Sequence, residues 1–184
     1  MAKSICSKGD KMIEGKRDSA TVTPDGKRIS KLIDGVIMRY ATTHADERGE
    51  LCEIYDPAWG ITPEAMVYCY LTMVRAGKVK GWVYHEEQID RLFVATGALK
   101  VVLFDRRKES PTYGLINEFT LGERNRGLVV IPKQVLHAVQ NVGTTEATFV
   151  NLPSRPYNHA KPDKFRVPFE SPEIPYRFEN RLGW

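Results

Sequence analysis

The sequence predicts an all-β domain, an antiparallel sandwich or barrel built from short strands. Three observations carry that expectation. Ten runs rich in Val, Ile, Tyr and Phe follow one another from residue 32 onward. Turn-forming residues separate them, among them Gly77, Gly97, Pro111, Gly127, Pro132 and Gly143. Finally, no segment sustains the 3.6-residue apolar period of an amphipathic helix, with a short stretch around Pro63–Met66 as the one exception.

The first five runs are Leu32–Ala41, Leu51–Tyr55, Met66–Val74, Val79–His85 and Arg91–Thr96. Leu99–Phe104, Tyr113–Leu121, Leu128–Ile131, Leu136–Val142 and Ala147–Leu152 make the second five. Strands at this spacing close a sandwich or a barrel rather than an open sheet. Beyond them, six of the eleven prolines lie from Pro153 onward. Proline cannot donate to a β-ladder, so this segment is expected to wrap the barrel as irregular chain and add no strand. Residues 1–30, rich in Lys, Ser, Thr, Asp and Gly, are expected to form a flexible tail. Residues 31–184 then make a single domain, since a chain of 184 residues supports one sizeable core.

Charge and composition exclude several function classes. The net charge is +4, and residues 1–31 account for it with eight Lys/Arg against four Asp/Glu. The remaining chain carries nineteen of each sign and offers no basic face, so a nucleic-acid partner is not expected. No run approaches the roughly 18 apolar residues of a membrane helix, and Met1–Gly15 lacks the apolar centre of a secretory signal. Cys6, Cys52 and Cys69 are odd in number and widely spaced, which suits a reducing cytoplasm rather than a disulfide framework or a zinc site. Cys52 and Cys69 read as buried small hydrophobes.

Two segments carry the chemistry. One runs Gly81-Trp82-Val83-Tyr84-His85-Glu86-Glu87-Gln88-Ile89-Asp90-Arg91 and on to Gly97; the other runs from Gly127 through Pro132 and His137 to Asn141. Residues two apart on a strand face the same side, so Val83 and His85 both look into a barrel while Tyr84 and Arg91 look out. Asp90 and His137 converge on that volume from neighbouring strands. These segments resemble the two cupin signatures, which implies a jelly-roll antiparallel β-barrel. Val83 stands where the first histidine of the cupin His-x-His would be.

A narrower resemblance, to the dTDP-4-dehydrorhamnose 3,5-epimerases, covers most of residues 34–177. Asp46-Glu47-Arg48-Gly49, Val79-Lys80-Gly81-Trp82, and Asp105-Arg106 followed by Ser110-Pro111-Thr112-Tyr113-Gly114 occur in the family's order and spacing. The resemblance implies an epimerase or isomerase that removes a proton next to a C4 ketone and returns one to the opposite face, in polysaccharide or deoxysugar biosynthesis. It also implies a nucleotide-diphosphate sugar as partner, no cofactor, and a homodimer with exchanged N-terminal strands. Arg48 and Glu53 would reach the neighbouring subunit's nucleotide, Lys80 would meet the diphosphate, and Tyr157 would lie against the base. The family's base histidine falls on Val83, its lysine on Asp90, and its tyrosine on or next to Asn151, counted with the substrate-binding residues. None of the three can do the original job.

His85, with Asp90 as its orienting carboxylate, is the preferred replacement base, and His137 the second. Each has a structural alternative. A buried histidine often only satisfies backbone groups, which applies to His137 as much as a site role does. The trio also forms a two-histidine, one-carboxylate set; a metal is not expected, but these three would be its ligands. Two further readings remain, a nucleotide-sugar-binding cupin without turnover and a metal-dependent cupin enzyme of unrelated substrate that uses His85, Asp90 and His137. His44, His159 and the Glu86-Glu87 turn read as solvated, and Trp59, Trp82 and the aromatic residues of 66–74 as core or interface.

Overall fold

The computed structural model describes residues 15–26 and 28–179. Twelve strands follow in order: β1 (Ile37–Tyr40), β2 (Thr43–Asp46), β3 (Gly49–Cys52), β4 (Tyr70–Val74), β5 (Val79–Tyr84), β6 (Asp90–Thr96), β7 (Ala98–Asp105), β8 (Ile116–Gly122), β9 (Gly127–Ile131), β10 (Val135–Asn141), β11 (Ala147–Asn151) and β12 (Phe165–Arg166). Among the described residues a single 3₁₀ turn, Pro57–Trp59, interrupts them. One sheet runs β1-β9-β6-β11-β4, the other β12-β5-β10-β7-β8, and β2 pairs with β3 as a separate hairpin. All pairings are antiparallel.

The alternation of the sequence explains the layers. Inward side chains such as Val94, Leu99, Val101, Leu103, Leu121 and Val129 fill the space between the sheets. Central strands β9 and β10 are buried throughout, so each outer face needs a cover as well. Ile174 and Phe178 pack on Trp82, Val102 and Leu136 behind the second sheet. Ile54, Tyr55 and Ile61 pack on Phe93 and Leu128 behind the first.

The expected strands are present, though Met66–Val74 is strand only from Tyr70 and Tyr113–Leu121 only from Ile116, and four further differences stand out. Leu32–Ala41 is strand only from Ile37, because Gly35 turns the chain at φ 79° against Pro132 while Ile33 and Val36 are buried ahead of it. The hairpin strand β2 arises in polar sequence, where periodicity gives no signal. Residues 63–66 form no helix. The proline-rich tail does add a strand, β12, in which Phe165 pairs with Tyr84 and Arg166 with Val83. Its two residues fit between Pro162 and Pro168 and cover the otherwise open edge of β5. Cys52 is half-buried and Cys69 exposed, contrary to their reading as core residues; Cys6 lies outside the described residues.

Among the described residues, those from Gly15 to Lys31 fall in a unit of their own, and the sandwich unit begins at Leu32. Within that unit Val22 bridges Arg28 around a turn closed by Gly26 N–H donating to the Thr23 carbonyl. Residues 1–14, half of the expected tail, lie outside the described residues.

One irregularity matters for the site. On β10, His137 and Val139 pair with Val83 and Lys80 on β5, so two residues of β5, Gly81 and Trp82, oppose the single Ala138 of β10. This bulge turns Lys80 and Val83 to the same side, against simple alternation. Gly81 makes it sterically feasible. A Cβ there would lie 2.5 Å from the Ala138 Cβ, and its φ is 133°.

Candidate functional site

The two sheets part at one end around a cavity of about 170 Å³. The second sheet contributes His137 from β10, and His85 follows the last residue of β5; the first contributes Asp90, at the start of β6, Asn151 from β11 and Tyr70 from β4. His85, Asp90 and His137 are all less than a tenth exposed.

Asp90 is the hub. Its Oδ2 lies 3.2 Å from His85 Nε2 and 3.4 Å from His137 Nε2, while Oδ1 accepts from Gln88 Nε2 at 2.8 Å. Burial pushes its carboxyl pKa upward, but the hydrogen bonds and charge of the two imidazoles outweigh that and hold it far below the usual carboxylate range. His85 feels the converse balance. Burial lowers its pKa, the bond to Asp90 and that carboxylate's charge raise it more, and the net shift is upward.

The backbone fixes the tautomers. His85 Nδ1 donates to the Asp163 carbonyl, and His137 Nδ1 lies 3.2 Å from the Val135 carbonyl. Nδ1–H is thereby committed, so Nε2 donates to Asp90 only while the ring is an imidazolium, and in the neutral ring Nε2 is the nitrogen left to take a proton. Asp163 does a second job with its side chain. Its carboxylate accepts from the N–H groups of Glu86, Glu87 and Gln88 at 2.9 Å each, which pins the turn between His85 and Asp90. Burial raises the Asp163 pKa, yet those three donors bring it below its ordinary value.

A second hollow, of about 330 Å³, adjoins the first and shares Tyr70, His85 and Lys164 with it. Its wall is aromatic, with Tyr68, Tyr157 and His159. Lys80, Lys164 and Arg166 bring positive charge to the first cavity. The Lys164 ammonium has its pKa lowered, first by desolvation and then by Arg166.

Most of the expected site residues therefore meet. His85, Asp90, His137, Lys80 and Asn151 line the cavity, and Tyr157 lines the hollow beside it. Arg48 and Glu53 line neither and sit exposed on and just after the β2–β3 hairpin. Arg48 is instead paired with Asp46. Val83 presents an apolar wall opposite His137. Tyr84 faces away, stacked on Phe165, and Arg91 points to the far side, where it donates to the Leu152 carbonyl at 3.0 Å. His44, His159, Glu86 and Glu87 are exposed, and Trp82 is core.

Sequence reasoning missed Tyr70, Asp163, Lys164 and Arg166. Tyr68 and Tyr70 read as core or interface, yet both line the site. Their signal was an inverted alternation, in which Leu71 and Met73 face solvent while Tyr70 and Thr72 face the cavity.

The Asp105 and Ser110–Thr112 segment is structural. Asp105, fully buried, accepts from Arg107 Nε at 2.8 Å, Ser110 Oγ at 2.6 Å and Thr112 Oγ1 at 2.7 Å. Thr112 Oγ1 in turn accepts from the Asp34 N–H at 2.8 Å.

The donor atoms of His85, Asp90 and His137 all lie within 4.8 Å of one another, and both imidazoles are braced by backbone carbonyls. That arrangement would also serve a divalent cation.

Comparison with known proteins places this architecture. A probable low-salt glycan biosynthesis epimerase of Haloferax volcanii is 33% identical over 142 residues, covering 75% of this chain and 89% of that protein. A spore coat polysaccharide biosynthesis protein of Bacillus subtilis is 32% identical over 151 residues, covering 82% and 99%. Among solved structures, a dTDP sugar isomerase from Desulfovibrio desulfuricans superposes with a TM-score of 0.72 at 27% identity, covering 78% of this chain and 90% of that one. A 4-keto-6-deoxy sugar epimerase from the novobiocin cluster of Streptomyces spheroides gives 0.73 at 26%, covering 90% and 87%. Residues 30–181 match the family described as dTDP-4-dehydrorhamnose 3,5-epimerase, and the chain, a cupin barrel with that family's topology, belongs to it.

Proposed function

We propose that the protein epimerises or isomerises a nucleotide-diphosphate sugar carrying a 4-keto-6-deoxyhexose, with His85 as the base. The observation that carries this reading is the buried His85–Asp90 pair facing a cavity, with Nδ1 of His85 committed to the Asp163 carbonyl. A proton next to a ketone is acidic enough for an imidazole to remove once the enolate is stabilised. Lys164, on the same cavity, supplies a cation where the family's lysine is replaced by Asp90. The relatives in glycan and spore-coat polysaccharide synthesis support a biosynthetic role of the same kind.

The two hollows suit the two halves of such a substrate. A cavity of about 170 Å³ matches a single sugar ring, and the aromatic hollow with Tyr157 matches a nucleoside base. Lys80 and Arg166 favour a diphosphate between them. Arg48 and Glu53 line neither hollow of their own chain, which supports a homodimer in which the hairpin serves the partner's site. Exposed Leu51, Leu71 and Met73 give such a dimer apolar surface to bury. A nucleotide-sugar substrate would place the enzyme in the cytoplasm, and no helix among the described residues is long and apolar enough to cross a membrane.

The test is incubation with a thymidine-diphosphate 4-keto-6-deoxyhexose in D₂O, followed by NMR. Deuterium should enter beside the ketone, and His85→Ala should abolish that while leaving nucleotide affinity nearly intact. Tight nucleotide binding without exchange would identify a binding protein instead. The convergent donors of the His85–Asp90–His137 set favour a second reading, a metal-dependent cupin enzyme of unrelated substrate. Stoichiometric metal in the purified protein would establish it.

A further inference from the structure

We propose that Tyr70 is the acid that returns a proton to the sugar on the face opposite His85. The assignment rests on the keto-sugar reading above and names the group that reading lacks. The family's tyrosine falls on or next to Asn151, and an amide is no general acid.

The structure supplies a hydroxyl one strand away. In the β4–β11 ladder Tyr70 is the direct partner of Asn151, and its ring lines both hollows beside His85. His85 is carried by the second sheet and Tyr70 by the first, so the two groups approach the cavity from opposed walls. Inversion at a carbon requires that opposition.

Asn151 also sets the direction of the phenol. Its Oδ1 accepts from the Arg91 N–H at 3.2 Å, which turns Nδ2 toward Tyr70. Nδ2 then donates to Tyr70 Oη at 2.9 Å. The phenol oxygen is the acceptor in that bond, so its own proton is left to give. No acceptor for that proton is found among the described residues. Burial, and next the charge of Asp90, push the phenol pKa up to about 12, so the hydroxyl stays protonated across the working range.

The proton balance closes. His85 Nε2 takes the proton as the C–H bond breaks and its electron pair passes into the enolate. The Tyr70 O–H bond then breaks, and its proton joins the same carbon from the other face. The tyrosinate regains a proton from solvent and the His85 imidazolium releases one, so no net proton is gained or lost.

The test compares wild type with Tyr70→Phe in D₂O on a thymidine-diphosphate 4-keto-6-deoxyhexose, following deuterium in recovered substrate and inverted product separately. Tyr70→Phe should slow inversion at least about 100-fold. Deuterium entry into recovered substrate should stay within about threefold of wild type, since the base is intact. Asn151→Asp is the second variant. It keeps an acceptor for Arg91 N–H but takes the phenol proton for itself, so inversion should fall at least about tenfold further than exchange does. Circular dichroism establishes that both are folded. Inversion by Tyr70→Phe at the wild-type rate, or equal loss of exchange and inversion in both variants, overturns the assignment while the keto-sugar reading stands. Absence of exchange in the wild type overturns both, and is seen before any substitution is made.

Discussion

His85 Nε2 lies 3.2 Å from Asp90 Oδ2, and this pair joins the end of β5 in one sheet to the start of β6 in the other. Both partners are buried, so the contact works at a lower dielectric than a surface ion pair and shifts both groups. What it fixes is the protonation state of His85 at a given pH.

Because the His85 pKa lies above its ordinary value, its neutral, proton-accepting form accumulates only as pH rises through that raised value. Solvent exchange should therefore increase with pH on the acid limb of the profile. Asp90→Asn removes the charge that raises His85, so the limb should move to lower pH while the maximal rate falls about 100-fold. A pH–rate profile of the variant unchanged in midpoint would separate His85 from the chemistry.

The same pair predicts how stability follows pH. The raised His85 pKa contributes stability that is complete below the unfolded value, about 6.5, and is lost as pH climbs through the folded one. The depressed Asp90 pKa contributes stability present above about 3.9 and lost as pH falls toward its folded value. Urea midpoints measured against pH should show this contribution at its largest between those limits. Asp90→Asn should flatten that dependence.

Lys80 reaches the cavity only because of the bulge in β5. Lys80→Ala should weaken thymidine diphosphate binding about tenfold, with little change in melting temperature. Lys80→Arg should retain or improve affinity, since a guanidinium grips phosphate with two parallel donors. Titration calorimetry at two salt concentrations reads both effects.

Gly81→Ala should be among the most damaging small substitutions. The added methyl would meet Ala138 Cβ at 2.5 Å and its Cα at 2.6 Å, and backbone cannot yield as a flexible side chain does. The expected loss is about 1–3 kcal/mol, seen as an earlier thermal transition.

Asp163→Ala should cost about 2 kcal/mol, since it strips three backbone donors of their acceptor at once. For a domain of this size that is a drop of about 4–8 °C in melting temperature. Exchange should fall as well, although the carbonyl that holds His85 remains, because the turn leading to Asp90 loses its anchor. Normal turnover with a lowered melting point would make Asp163 purely structural.

The strands were legible in sequence because alternation and turn residues agree along most of the sandwich. The convergence of His85, Asp90 and His137 followed from parity on one strand and from a motif on two others. Tyr70 was hidden by chemistry, since an aromatic on a strand is more often core than site. Lys164 and Arg166 were hidden by context. Their two-residue strand exists because β5 offers an edge, and nothing local in a proline-rich segment announces it. Lys80 was placed from resemblance, and parity alone would have turned it away, because the bulge is invisible without coordinates.

Asp163 holds His85 with its carbonyl and the adjoining turn with its carboxylate, while the two strand residues that close the neighbouring edge follow almost at once. Chain ending at Asn151 would still contain every strand of the first sheet and four of the second. It would nevertheless lack the carbonyl for His85, the clamp on residues 86–88, and both cations of β12 and its approach. The stretch from Asp163 to Arg166 is thus what converts an assembled sandwich into a poised site, so competence should appear only after that segment has docked.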